Sequence, residues 1–114
     1  MPALKYSVGD IVFINFPFAE DSTQRKLRPG LIVETLVGDG NKYLVLYCTS
    51  QKPKFPNEFW LEFTDFFIRV PTYVNTCRAF EFYEVEIQKR LGSIPQLQLS
   101  IVVDRYNKCK QKQS

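Results

Sequence analysis

Apolar and polar positions fall into short runs with the length and alternation of β-strands, followed by one stretch with a helical repeat. The run IVFINFPF, residues 11–18, is β-branched and aromatic and is bounded by Gly9-Asp10 and Pro17, which predicts a strand leading into a loop. AEDSTQRKL has no apolar period and predicts a polar loop carrying Arg25 and Lys26. A second strand, LIVETLV, is joined by the turn sequence GDGN to a third, KYLVLYCTS, so the two form an antiparallel hairpin. After the prolines of QKPKFPN, the segment EFWLEF, residues 58–63, sets Phe59, Leu61 and Phe63 on one face of a fourth strand. TDFFIRVP predicts a loop with an apolar lining, TYVNTCRAFEFY a fifth strand and EIQKRLGSI a further short one.

The end of the chain differs in kind. Pro95 suits a first helical turn, and Leu97, Ile101, Val102 and Tyr106 fall near one helical face. Arg105, Lys108 and Lys110 gather where the negative end of that helix would lie. The predicted fold class is mostly β with α, a small antiparallel barrel with a C-terminal helix. At 114 residues there is room for one core, so residues 1–114 are expected to form a single domain, with about residues 1–7 and 110–114 fraying.

Composition narrows the function. With 45% hydrophobic and 24% charged residues the chain is a globular one, and no run approaches the roughly 18–20 apolar residues that span a bilayer. The N-terminus lacks the apolar stretch of a signal peptide. A net charge of +3 is too small to coat nucleic acid by charge alone, so a basic site must come from where the cations sit. Cys48, Cys77 and Cys109 are odd in number and widely spaced, which argues against a disulfide scaffold and a zinc site and for a reducing, cytoplasmic location. The chain has no histidine, which removes the usual general base and the usual metal ligand; no metal and no cofactor is expected.

Positive charge concentrates in TQRKLRPGLIVETL, where Arg25, Lys26 and Arg28 precede a Pro-Gly and a strand. In an antiparallel hairpin the start of one strand lies beside the end of the next, so Arg28 would neighbour Thr49-Ser50 at one rim of the sheet. The segment carrying Lys52, Lys54 and Phe55 would hang beside them. Such a rim offers planar donors for phosphate and aromatic surface for a base.

The order GDIVFINFPF, DSTQRKL, RPGLIV and YLVLYCTSQ resembles the N-terminal half of the MazF/PemK family of toxin endoribonucleases, specifically over about residues 9–51. The resemblance implies an SH3-like barrel, a homodimer, and metal-independent, sequence-selective cleavage of single-stranded RNA under the control of a cognate antitoxin. It carries the catalytic roles onto Arg28 and Thr49. RNA-binding candidates are Gln24, Arg25, Lys26, Ser50, Gln51, Lys52, Lys54, Phe55, Asn75 and Arg78. Departures from the family pattern stand at Thr23, where an acidic residue is common, and around VNTCRAF, where Asn75, Cys77 and Arg78 replace an Asp-Gln pair. Two other readings use the same chain: a barrel that grips a protein or nucleic acid without turnover, and a gyrase-directed toxin.

Overall fold

The computed structural model describes residues 4–17, 25–49, 60–63 and 72–113. Six strands run in chain order: β1 (Asp10–Pro17), β2 (Arg25–Leu36), β3 (Lys42–Thr49), β4 (Trp60–Phe63), β5 (Thr72–Tyr83) and β6 (Ile87–Ser93). A single 3-10 turn, Glu84–Glu86, links β5 to β6, and helix α1 (Gln96–Gln113) closes the chain. The strands form one antiparallel sheet in the order β4-β5-β3-β2-β1-β6.

Both faces of the central strands are buried, which is why their sequences read as nearly continuous apolar runs. Alternation along β3 sends Leu46 and Cys48 into one cluster with Leu31, Val74, Leu99 and Val102, and Tyr43 and Val45 into another with Ile14, Phe16 and Ile87. Helix α1 covers the first face. Its buried positions are Leu99, Val102, Tyr106 and Cys109, one stripe at helical spacing. Leu97 and Ile101, expected on that stripe, are exposed, because the face is set by the contact with β5 and passes through 99 and 109 instead. The helix starts where Pro95 suggested: the Pro95 carbonyl accepts the Leu99 N–H at 3.0 Å.

The expectation of a closed SH3-like barrel is corrected by the strand order. Among the described residues β4 pairs only with β5 and β6 only with β1, so the sheet stays open. It is nevertheless strongly curled. Flat, β5 and β6 would lie four strand spacings apart, about 19 Å, yet the 3-10 turn can span at most about 14 Å from Tyr83 to Ile87. The sheet therefore rolls toward itself, and the Tyr6, Phe16, Phe82 and Ile87 cluster fills the inside of the curl. That filling, with α1 on the outside, buries both faces without ladder closure. The curl is held by Glu84: its carboxylate accepts from the Lys5 N–H at 2.8 Å and from Asn41 Nδ2 at 3.0 Å, tying the 3-10 turn to the β2–β3 turn. That turn places Gly40 at φ +82°, a conformation only glycine adopts without cost.

Two further expectations change. Arg25 and Lys26 are not in a loop: β2 starts at Arg25 and pairs with β1 out to Pro17↔Arg25, so the hairpin ladder absorbs them. Cys77 and Cys109 form a disulfide between β5 and α1, with Cα atoms 5.4 Å apart. Thirty-two positions separate them in sequence, and only the docking of α1 on β5 brings them together. Cysteine usage thus gives no argument for a reducing compartment. No helix among the described residues is long and apolar enough to cross a membrane.

Candidate functional site

At the end of the sheet where β2 begins and β3 finishes, the register decides which residues are neighbours. Gly30 pairs with Tyr47 and Leu31 with Leu46. Continued outward by two residues, the same register sets Arg28 level with Thr49. The ladder stops at Gly30, next to Pro29, which has no N–H to extend it. On the far side of β3, Thr49 pairs with Tyr73 of β5.

Arg28 pairs with Ile14, whose side chain belongs to the cluster inside the curl, so alternation puts the half-buried Arg28 at the mouth of the curl. Gly30, on the same face, is there because nothing larger fits. A Cβ would collide with Val45 Cγ1 and lie 2.8 Å from Phe16 Cζ. Phe16 thus crosses the β2 backbone one turn of the pleat from Arg28. Its ring meets Tyr47, Phe80 and Phe82 edge-on, each at 5.3 Å between centroids.

β5 departs from regular pairing here. Leu46 faces Ala79 and Cys48 faces Val74, so Tyr47 alone stands opposite Asn75, Thr76, Cys77 and Arg78. Bulges of this kind re-aim side chains and are common beside functional sites. Asn75 Oδ1 accepts the Cys77 N–H at 3.1 Å, and the Arg78 guanidinium lies over the Phe80 ring at 5.1 Å. The substituted segment VNTCRAF is therefore this bulge.

The described cations divide into those with a carboxylate partner and those without, Lys5 and Lys89 lying over the rings of Tyr6 and Phe13 instead. Lys42, Arg90, Lys108 and Lys110 each have a carboxylate within 4 Å. Among the described residues Arg28 and Arg78 have no such ion pair, which leaves two planar cations for an anionic ligand.

The structure thus gathers Arg28, the backbone of Thr49, and the bulge carrying Asn75 and Arg78. It places Arg25 and Lys26 farther out on β2, at its start, opposite Pro17 and Phe16 of β1. Gln24, Ser50, Gln51, Lys52, Lys54 and Phe55, like Thr23 and Phe59, lie outside the described residues. The half-buried rings of Tyr47 and Phe80 belong to the rim and were missed, although the alternation Tyr43, Val45, Tyr47 in β3 and Phe80, Phe82 in β5 was available to find them.

Cys48, next to Thr49, is fully buried, and burial pushes its thiol well above the usual range. A raised thiol pKa means the folded state keeps its proton where the unfolded chain loses it. The stability this gives is complete below the unfolded value of about 8.5 and is lost as pH rises beyond it, by up to about 1.4 kcal/mol per pH unit. Urea unfolding at pH 8, 9 and 10 is expected to show this fall, and Cys48→Ala is expected to flatten it. An equal slope in the variant would show that Cys48 is not its source.

The profile of the PemK-like, MazF-like toxins of type II toxin–antitoxin systems matches residues 7–108. The chain belongs to this family of toxin endoribonucleases. No curated protein matches the toxin. Among solved structures it is similar to an endoribonuclease from a mycobacterial species, solved in complex with its cognate antitoxin, at 14% identity. That alignment covers 90% of this chain and 92% of the other with a TM-score of 0.65, a likeness of fold. The family match spans the rim and most of α1, through residue 108, so it includes most of the toxin's C-terminal half, where the sequence resemblance is thin.

Proposed function

We propose that the toxin cleaves single-stranded RNA at a short recurring sequence, without a metal, by directing the RNA's own 2′-hydroxyl at the adjacent phosphorus. The observation that supports this reading is the β2–β3 register, Gly30↔Tyr47, which continued outward by two residues brings Arg28, free of any described carboxylate, toward Thr49. A guanidinium offers donors and no acceptor, so Arg28 serves as a donor to the non-bridging oxygens as charge builds on the phosphorane. Thr49 adds a hydroxyl donor. The rings and cations of the rim hold flanking nucleotides, bases on aromatic or guanidinium planes and phosphates on Arg78 and the basic start of β2. The toxin acts as a homodimer and is silenced by a cognate antitoxin, whose acidic segment covers the same cations.

Incubation with a long single-stranded RNA in chelator is expected to give cuts at a recurring sequence, with 2′,3′-cyclic phosphate ends. The same sequence with deoxyribose at the cut position should remain whole, since the nucleophile is gone. Thr49→Val, nearly constant in volume, is expected to slow cleavage about 10²-fold, the usual loss for one transition-state donor. Absence of cleavage across varied RNAs by folded protein would overturn the reading.

A further inference from the structure

The bulge of β5 lacks a regular ladder with β3 and is paired to β4 at Asn75↔Trp60, yet it carries two of the residues assigned to RNA. Its contacts include the Asn75↔Trp60 pairing with β4, the buried Thr76, the Asn75–Cys77 hydrogen bond, the Arg78–Phe80 stack and the Cys77–Cys109 bond to α1. Only the last joins the bulge covalently to another element. Cys77 lies between Asn75 and Arg78, so the bond acts on the backbone that aims both.

The geometry points to Cys77–Cys109 as a thiol–disulfide exchange site, taking a small dithiol as reductant, that sets the order of the β5 bulge and through it the affinity for RNA. The RNA part rests on the function proposed above; the exchange site and its effect on the bulge do not.

The site is reachable. An open groove of about 420 Å³ runs along the two cysteines, lined by Leu44, Arg78, Ala79, Tyr106 and Lys110. Cys77 is half-buried whereas Cys109 is 7% exposed, so the incoming thiolate attacks Cys77 Sγ and expels the Cys109 thiolate, which takes a proton. The second thiol of the reductant then closes on its own sulfur and releases Cys77. Two electrons and two protons pass to the protein, and the dithiol leaves as its cyclic disulfide. A small disulfide oxidant reverses the reaction. Cys48 takes no part, being wholly buried on β3 with its thiol donating to the Leu46 carbonyl.

Reduction removes the covalent tie between the C-terminal turns of α1 and β5 and leaves the bulge to its non-covalent contacts. Asn75 and Arg78 then sample several orientations, and an RNA that needs one of them pays to select it.

Three readouts on the full chain test this. Thiol titration in denaturant should find one thiol in air-purified protein and three after dithiothreitol; three before reduction would overturn the site. Hydrogen exchange over residues 73–80 and 105–113 should quicken on reduction and in Cys109→Ser, while β1 and the β2–β3 turn stay unchanged. Uniform exchange in both states would overturn the coupling to the bulge. Finally, the affinity for a 2′-O-methyl RNA, which cannot be cut, should fall about 3- to 30-fold on reduction. Cys109→Ser should show the reduced affinity with or without dithiothreitol. Equal affinity in both redox states would overturn the effect on RNA. Failure of either state to bind any RNA would instead overturn the functional reading, with thiol count and exchange still deciding the disulfide's role.

Discussion

Arg28→Ala is expected to lower the rate of RNA cleavage by about 10²–10³-fold, the loss typical of one preorganised donor at a developing oxyanion. The side chain is half-buried at the mouth of the curl, and no described carboxylate depends on it, so its removal strands no partner. Folding should therefore survive, with a stability change within about 1 kcal/mol. Arg28→Lys separates charge from geometry: an ammonium keeps the charge but cannot offer two parallel donors, so it should recover only part of the rate. Single-turnover cleavage beside urea unfolding of both variants is the measurement. An Arg28→Ala protein that is folded and fully active would remove Arg28 from the chemistry; one that is unfolded would make the residue structural.

The β2–β3 hairpin, from which the nearness of Arg28 and Thr49 is argued, could be read in the sequence, because GDGN between two β-branched runs specifies one. The bulge could not. Whether β5 gains residues against β3 depends on where its two ends are held, and VNTCRAF carries no signal for that. The same limit explains the barrel. Local alternation gives strands and faces, but closure is decided between β4 and β6, which are edge strands far apart in sequence. Spacing alone puts Leu97 and Ile101 near one helical face with Val102 and Tyr106, and only contact with β5 selects the stripe through Leu99 and Cys109. The disulfide was hidden for a related reason. Parity of the cysteine count says nothing about two thiols that tertiary docking brings together while the third is sealed in the core.

Phe16→Ala is expected to cost about 3–5 kcal/mol, a large share of the 5–15 kcal/mol that holds a small domain folded. Phe16 is fully buried, meets three rings edge-on and packs across Gly30, so no single neighbour can close the cavity its loss would leave. Gly30 has no side chain to move, and Phe82 is itself buried against Phe80 at 6.4 Å. At this chain length the loss corresponds to a fall in Tm of about 10–20 °C. Phe16→Leu, which refills much of the volume without the ring contacts, should lose clearly less. The rim should feel the change too, because Phe80 leans on Phe16 and Arg78 lies over Phe80. Weaker binding of uncleavable RNA by Phe16→Leu, measured well below its Tm, would show that the cluster positions Arg78 as well as filling the curl. A cost under about 1 kcal/mol for Phe16→Ala would mean that the inside of the curl is not the tightly packed core described, and that its rings do not set the geometry of the rim.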